Sequence, residues 1–319
     1  MLFKNGRRRW AVAGVAMLAA VGTYVAPAAA QEDGSAKPSQ QKAAALAEVW
    51  RTDFDGDAGT LPSSEDWIID KGHSYPGGAP NWGTGEVQEY TDSPENVQLD
   101  GEGHLKITAL KDGDKWTSSR IETQRTDFAA PEGGVMRISA GIKLPDVSGE
   151  EALGYWPAFW TLGEDFRGNY QNWPGVGEFD IMENVNGENT THGVLHCGTN
   201  PGGPCNESTG IGQARECTGS CKTEFHEYAL ELDRSGETEE LRWYVDGEQY
   251  HSVKETDLDA QTWADATDHG HFILLNLAMG GAFPDGVAGQ QTPVAATQPG
   301  HSMTVDYVSV ESSTGGASK

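Results

Sequence analysis

The chain has 319 residues and is strongly acidic, with 48 Asp and Glu against 22 Lys and Arg and a formal net charge of −26. This excess of negative charge disfavours a nucleic-acid-binding protein or one that adheres to anionic membranes. We therefore expect neither a nucleic acid nor a membrane as partner. A neutral polymer is compatible with the negative charge.

The first 30 residues have the pattern of a secretory signal peptide. A basic start precedes an apolar run at about residues 10–25, and Ala28–Ala30 offers a small-residue cleavage site. The apolar run is short for a bilayer span of about 20 residues, which makes a membrane anchor the less favoured interpretation. The run Arg7–Arg9 leaves a twin-arginine route open. We expect a secreted, extracellular protein.

One domain is expected between two loose ends. Residues 31–47 are polar and then alanine-rich, so they predict a flexible N-terminal segment, and residues 312–319 predict a flexible tail. The remaining range, 48–311, is long for one domain but suits a single sandwich or barrel. We expect this domain to be a monomer.

Short segments with strand-like alternation dominate the domain. In chain order they are His104–Leu110, Val135–Leu144, Glu227–Leu232, Leu241–Val245 and Met303–Val310, with an apolar run at His271–Met279. Asp246–Gly247 predicts a two-residue hairpin turn. The one helix expected in the domain lies around residues 256–266. The pattern predicts an all-β fold, a sandwich or jelly roll of two antiparallel sheets.

The segment GEFDIMEN, residues 177–184, combines a core-like strand with three acids. The acids are Glu178, Asp180 and Glu183. Alternate side chains of a strand lie on opposite faces, so the first two acids share a face, whereas Phe179 and Ile181 face the core. A regular strand would turn Glu183 toward the core. A β-bulge at Ile181–Met182 would return it to the acidic face.

Carboxyl groups in this arrangement fit a retaining glycosidase, which uses one as nucleophile and one as acid/base. Asp180 between them could orient Glu178 and raise the proton affinity of Glu183. A solvated acidic face is the plain alternative, because the chain is rich in acids. Another alternative is a divalent cation held by the acids with His192 and His196.

A nearby aromatic segment, residues 155–162, suggests a carbohydrate-binding surface. Trp156 and Trp160 share one face, with the small Ala158 between them. Indole rings on a concave face form a platform for pyranose rings. Packing of these rings in the core is the alternative.

Polar residues in two further segments could bind sugar hydroxyls. Glu86, Gln88 and Tyr90 alternate on one face, although an exposed edge strand would show the same pattern. Arg120 could donate to a hydroxyl or fix the acids in place, and a surface salt bridge is its alternative.

Four cysteines lie within one 25-residue window. They are Cys197, Cys205, Cys217 and Cys221. Export favours disulfides, and of the three pairings we favour the two local ones, 197–205 and 217–221. A zinc site is the alternative, because two cysteines are separated by three residues.

These segments together resemble glycoside hydrolase family 16, the laminarinase-like endo-β-1,3-glucanases. The matching stretches are NWGTGEVQEYT (81–91), GHLKITA (103–109), SSRIET (118–123), GYWPAFWTLG (154–163), GEFDIMENVNG (177–187), RWYVDG (242–247), FILLNLAMGG (272–281) and MTVDYVSV (303–310). The resemblance implies a concanavalin A-like jelly-roll sandwich with a concave glycan cleft. It also implies retaining endo-hydrolysis, with Glu178 as nucleophile, Asp180 assisting and Glu183 as acid/base.

The resemblance also bears on the substrate. Laminarinase-like members carry the extra residue that Met182 represents, which favours β-1,3 linkages over mixed-linkage β-glucan. His196 has a counterpart in the family and is expected either to bond Asp180 or Glu183 or to pack in the core. The family's aromatic after it is here Cys197, followed by the insertion 198–221, so a β-1,3-galactan stays open as substrate.

The resemblance implies no required cofactor. Many members bind a structural calcium ion, and Asp53 and Asp306 are the positions expected for it here. A non-catalytic glycan-binding module is the competing class, although such modules are expected to have lost one of the two glutamates. A transglycosylase would share the covalent intermediate.

Overall fold

The computed structural model describes residues 45–313, and the structural statements below concern this part of the chain. The expected signal peptide, residues 31–44 of the expected flexible segment, and residues 314–319 of the expected tail lie outside it. None of the described helices has both the length and the apolar character needed to cross a bilayer.

The described residues form 18 strands and two α-helices. The strands are β1 (Ala47–Thr52), β2 (Trp67–Asp70), β3 (Glu89–Tyr90), β4 (Val97–Leu99), β5 (Leu105–Thr108), β6 (Leu110–Asp112), β7 (Lys115–Ser118), β8 (Arg120–Thr123), β9 (Val135–Lys143), β10 (Tyr155–Gly163), β11 (Glu178–Glu183), β12 (Thr190–His196), β13 (Ile211–Glu216), β14 (His226–Asp233), β15 (Glu240–Val245), β16 (Glu248–Lys254), β17 (His271–Met279) and β18 (Ser302–Ser313). The helices are α1 (Ala260–Thr267) and α2 (Ala282–Ala288).

Two large antiparallel sheets make up the sandwich, as the alternating segments predict. The seven-stranded sheet has the order β13-β12-β11-β10-β17-β8-β2. The eight-stranded sheet has the order β16-β15-β14-β9-β18-β5-β4, with β1 paired to β18. A third sheet, β3-β7-β6, was not predicted, and its β3–β7 pair is parallel. Its strands are only two to four residues long, too short to show a clear alternation.

The hydrophobic core lies between the two large sheets. β11 contributes Phe179 and Ile181, and the opposite sheet contributes Tyr228, Leu230 and Trp243, all at most 1% exposed. Removing a side chain of this size from water stabilises the fold by about 1.5–3 kcal/mol. Because the inner face of the seven-stranded sheet supplies the core, its outer face can carry polar groups.

Most predicted elements are confirmed, and the differences have local causes. β17 has the predicted bounds, and Asp246 and Gly247 form the hairpin turn, both with positive φ. α1 begins at residue 260 instead of about 256 because the Asp259 carboxylate accepts the Thr262 N–H and caps it there. The second helix, α2, was missed because it contains Pro284 and Gly286, which are poor helix formers.

The first and last described strands extend slightly beyond the expected limits 48–311. β1 already begins at Ala47, and β18 continues to Ser313, two residues into the segment expected to be loose. Ser312 and Ser313 pair with the start of β9, and the Ser313 hydroxyl accepts the Val135 N–H. These contacts hold both serines in the sheet.

Candidate active site

β11 carries its three acids on one face because it contains a β-bulge. On the neighbouring strand β10, the single step from Phe159 to Trp160 corresponds to two steps on β11, from Met182 to Asp180. Ile181 is therefore the extra residue. The register with β12 shifts over the same interval. The predicted bulge is thus confirmed.

The bulge divides the side chains of β11 as the sequence predicts. Phe179, Ile181 and Met182 are fully buried in the core. Asp180 and Glu183 are 4% and 8% exposed on the other face, where they line a cleft together with Glu178.

A tryptophan of the opposite sheet anchors the bulge. The Trp243 indole N–H donates to the main-chain carbonyl of Asp180 at 2.8 Å, across the core. Gly193 on β12 makes room for this ring, since a side chain there would collide with Trp243 and the Tyr250 hydroxyl. The bulge is consequently fixed from below by a buried hydrogen bond.

The cleft above the seven-stranded sheet has a volume of about 210 Å³ and largely aromatic walls. Its rings belong to Tyr75, Trp82, Trp156, Trp160, Phe166, Tyr170 and Trp173. Aromatic walls around a few converging polar groups are typical of carbohydrate sites.

Both predicted tryptophans face this cleft. Trp156 donates its indole N–H to Glu183 Oε1 at 2.7 Å, and Trp160 donates to Asn276 Oδ1 at 2.7 Å. Trp173, which the sequence analysis did not assign, donates to Glu178 Oε2 at 3.1 Å. Two of the three acids therefore each receive an indole hydrogen bond.

Arg120 lines the cleft but does not contact the acids of β11. It is buried and donates to Asp70 Oδ2 at 3.2 Å and to the Tyr75 hydroxyl at 2.9 Å. Its guanidinium also lies 4.7 Å from the Trp82 ring centre and 4.8 Å from that of Trp160. The expected surface salt bridge is instead a buried one with Asp70, and the expected bond to the acids of β11 is not made. The role of Arg120 as a donor to sugar hydroxyls stays a prediction.

Glu86 and Gln88 have different positions. Glu86 lines the cleft, and its carboxylate accepts from Thr84, Gln88 and Tyr90. Gln88 is fully buried, and its amide oxygen accepts the Met279 N–H. The expectation that Gln88 binds sugar hydroxyls from an exposed position is therefore wrong, because both ends of its amide are used inside the fold.

His196 joins the acids to the cysteine-rich insertion. Its Nε2 lies 3.3 Å from Asp180 Oδ2 and 3.9 Å from Glu178 Oε1. Its Nδ1 lies 2.7 Å from Oε2 of Glu207, a residue that the sequence analysis missed. The only sequence signal for Glu207 was an acid within the cysteine-rich insertion, between Cys205 and Cys217. His196 thus contacts Asp180 as expected, whereas Glu183 is not among its close contacts.

Burial and mutual repulsion raise the proton affinity of the glutamates. Burial, and then the charge of Asp180, raise the pKa of Glu183 to about 8 and raise that of Glu178 well above its ordinary value. Burial lowers the pKa of His196, but its contacts with Asp180 and Glu207 outweigh this and raise it to about 12. The protonated imidazole in turn favours the ionised form of Glu178.

The structure bears differently on the two metal alternatives. Ligand atoms of Glu178, Asp180 and His196 converge, but Nδ1 of His196 is engaged by Glu207, and a protonated imidazole satisfies this arrangement without a cation. Asp53 pairs with Arg51, and neither Asp53 nor Asp306 belongs to a convergent group of ligand side chains within residues 45–313. The expected calcium pair is thus not supported by the structure.

The cysteines form the two favoured disulfides. Cys197 pairs with Cys205, and Cys217 pairs with Cys221. All four sulfurs are therefore used, and the zinc alternative is wrong.

Comparison with known proteins identifies the family. A family model described as "XgeA-like, catalytic GH16 domain" matches residues 144–232. The crystal structure of endo-1,3-β-glucanase from Streptomyces sioyaensis has a TM-score of 0.82 and 53% identity, covering 88% of this chain and 99% of that one. The β-glucanase of Rhodothermus marinus is 32% identical over 277 residues, 82% of this chain and 84% of that protein.

A third relative is much longer than the matched region. Glucan endo-1,3-β-glucosidase A1 of Niallia circulans is 30% identical over 304 residues, 88% of this chain but only 40% of that protein. A further curated relative is matched over 33% of its length. The Rhodothermus and Streptomyces proteins, by contrast, are matched over most of their length, and together with the family model they place the chain: it belongs to glycoside hydrolase family 16.

Proposed function

We propose that this chain is a retaining endo-β-1,3-glucanase that cleaves internal linkages of a neutral, laminarin-type polysaccharide. The observation that carries the proposal is the bulged strand β11, which presents Glu178, Asp180 and Glu183 together in an aromatic-walled cleft. The similarity to the Streptomyces sioyaensis protein, named as an endo-1,3-β-glucanase, supports the same activity.

In the first half-reaction Glu178 is the nucleophile. Its carboxylate attacks the anomeric carbon and forms a glycosyl-enzyme ester, while the glycosidic C–O bond breaks. Glu183 donates its proton to the departing oxygen. Its raised pKa, about 8, suits this role because the side chain then remains protonated at neutral pH.

In the second half-reaction Glu183 acts as the base. It takes a proton from a water molecule, the water oxygen attacks the anomeric carbon, and Glu178 leaves as a carboxylate. Two inversions give overall retention of the β configuration. The two carboxyl groups and water complete this reaction, so the proposed chemistry requires no cofactor. Asp180 lies between the two glutamates in the sequence, and its negative charge helps to raise the pKa of Glu183.

The substrate proposal combines the cleft with the insertion. The aromatic walls suit the apolar faces of sugar rings, and the extra residue of the bulge favours β-1,3 linkages by family resemblance. A β-1,3-galactan is the second candidate, because the disulfide-bonded insertion 198–221 stands where the family resemblance leads us to expect an aromatic residue. We also propose secretion, on the pattern of residues 1–30.

The roles of the glutamates are tested by Glu178→Gln with Glu216→Gln as matched control, since Glu216 is an exposed acid away from the cleft. Glu178→Gln should lower kcat by roughly 10⁴-fold or more while the fold is retained. The control should match the unmodified chain. Near-normal turnover by Glu178→Gln would refute the nucleophile assignment.

Stereochemistry and substrate range are tested with the unmodified chain. Proton NMR of fresh products should show the β-anomer first, and an initial α-anomer would refute the retaining mechanism. A panel of laminarin, curdlan, lichenan, agarose and β-1,3-galactan, with product sizing, should give short oligomers from laminarin. Cleavage of lichenan without cleavage of laminarin would refute the linkage proposal.

A further inference from the structure

The insertion after β12 delivers a buried carboxylate to the back of the active site. The Glu207 side chain is fully shielded from solvent, and its two oxygens accept from adjacent residues. Oε1 accepts the main-chain N–H of Cys197 at 2.9 Å, and Oε2 lies 2.7 Å from His196 Nδ1. The Cys197–Cys205 disulfide closes a loop that ends two residues before Glu207.

The same loop is folded back on itself next to Glu207. The main-chain N–H and C=O of Glu207 both pair with Gly202, so the residue is held by its backbone as well as by its carboxylate. An unpaired buried charge would be strongly destabilising, so the buried Glu207 carboxylate depends on its two partners, the Cys197 N–H and the His196 ring.

His196 therefore lies between carboxylates on both of its nitrogens. Nδ1 faces Glu207 of the loop, and Nε2 faces Asp180 and, farther away, Glu178 of β11. The positive charge of His196 also lowers the pKa of Glu183, the third acid of β11. Carboxylates accept hydrogen bonds, so a proton on Nδ1 serves Glu207, and a proton on Nε2 would give Asp180 Oδ2 the donor that it otherwise lacks among residues 45–313.

We infer that Glu207 is a positioning residue that holds His196 as a charged imidazolium against Glu178 and Asp180. The cation offsets the repulsion between these two acids and favours the ionised Glu178 that must attack the substrate. The disulfide-bonded loop is thereby part of the site. The kinetic consequences rest on the proposed function, whereas the protonation state of His196 does not.

Glu207→Gln distinguishes this role from simple packing, because the two side chains have nearly the same shape. The Gln oxygen can still accept the Cys197 N–H. Its NH₂ group then faces Nδ1, which can accept only if it carries no proton. His196 should become a neutral ring with its proton on Nε2.

The protonation state is measured by ¹⁵N NMR of the histidine rings, with His196 assigned from the signal missing in His196→Asn. In the unmodified chain both nitrogens should stay protonated from about pH 5 to about pH 9, well above the ordinary titration of histidine. In Glu207→Gln the ring should be neutral at about pH 8. A neutral His196 in the unmodified chain at that pH would overturn the inference, even if Glu207→Gln does not fold.

Kinetics on laminarin give the second readout. Glu207→Gln should lower kcat by roughly 10- to 100-fold, the effect typical of losing a histidine's orienting partner, with little change in KM. Glu216→Gln, the same charge change in the same insertion, should be unaffected. Wild-type kcat in Glu207→Gln together with a neutral ring would overturn the role of the cation.

The disulfides provide a second matched pair. Cys197→Ser/Cys205→Ser releases the loop that ends two residues before Glu207 and should reproduce the loss of kcat and the neutral His196 signal. Cys217→Ser/Cys221→Ser breaks the other disulfide and should do neither; equal losses in both pairs would overturn the role of the loop. A charged His196 in a chain inactive on every glycan would refute the proposed function and leave the Glu207 contact standing.

Discussion

Trp156 and Glu183 form the contact that tunes the proposed acid. The indole N–H donates to Glu183 Oε1, which favours the ionised carboxylate, while burial and Asp180 favour the protonated one. Burial and the charge of Asp180 have the larger effect, and they raise the pKa of Glu183 to about 8. An acid/base with this pKa can donate its proton at neutral pH and recover it in the next step.

The pH profile of kcat/KM should therefore have an alkaline limb near pH 8, set by loss of the Glu183 proton. Trp156→Phe removes the only indole donor to Glu183 in the described structure, so the pKa of Glu183 rises further and the limb moves to higher pH by about one unit.

Trp160→Phe is the matched control for this shift. Trp160 also lines the cleft but donates to Asn276, so this variant should weaken substrate binding without moving the alkaline limb. An unchanged limb in Trp156→Phe, or an equal shift in both variants, would contradict the assignment of the limb to Glu183.

At the scale of elements, the bulge of β11 depends on a strand in the other sheet. Trp243 lies on β15 and reaches through the core to the carbonyl of Asp180. The pairing of β11 with β10 sets which residues face the cleft, and the indole hydrogen bond fixes where the bulged backbone lies. Positioning of the acids is thus shared between the two sheets.

Trp243→Phe should show this dependence. The variant removes the indole donor from a buried carbonyl and should destabilise the fold by about 1–3 kcal/mol. It should also lower kcat by at least about tenfold, since a 1 Å misplacement of reacting groups can cost about 100-fold. Urea denaturation and laminarin kinetics measure the two effects.

Trp263→Phe separates the loss of activity from the loss of stability. Trp263 on α1 is equally buried and donates to Glu239 at 2.8 Å, away from the cleft. It should lose comparable stability but keep wild-type kcat. If both variants lost the same activity, the link between Trp243 and the acids would be wrong.

The sequence predicts those features of the elements that depend on neighbouring residues. The bulge follows from the phase of Glu183 relative to Phe179 and Ile181, and the hairpin follows from Asp246–Gly247. Glu207 and Trp243 could not be predicted, because their partners come from residues brought near only by folding. Periodicity reports which face a residue takes, but not what lies opposite.

Gln88 shows the same limit from the other side. Its alternation with Glu86 correctly predicts a shared direction, yet the pattern cannot tell a solvent-exposed face from one covered by β17. Burial of both ends of the amide turned an expected sugar contact into a structural one. Arg120 lines the cleft, but its aromatic neighbours could not be predicted because they are distant in the chain.

At the scale of the whole molecule, the buried acids of the active site lower the stability of the fold. Clustered acids with raised pKa values bind more protons when folded than when unfolded, so the free energy of unfolding falls as pH rises between the two pKa values. Asp70, whose pKa burial raises to about 7, acts in the same direction as Glu183, and so does His196 above its ordinary pKa. The net charge of −26 adds general repulsion.

This sign is unambiguous above about pH 7.5, where the histidines with lowered pKa values, His192, His251 and His271, are largely neutral in both states. Thermal unfolding should therefore show a falling Tm between about pH 7.5 and about pH 9.

Glu183→Gln tests how much of that fall belongs to the active site. The uncharged amide avoids the cost of ionising a buried carboxyl group, so the variant should be more stable than the unmodified chain at about pH 8 while being catalytically inactive. At about pH 5 Glu183 is largely protonated in the folded chain, and the difference in Tm should be small.

Glu216→Gln, at an exposed site, should show no such dependence on pH. Equal Tm differences for Glu183→Gln at both pH values would mean that the buried acid does not destabilise the fold, and would also remove the basis for assigning it a raised pKa.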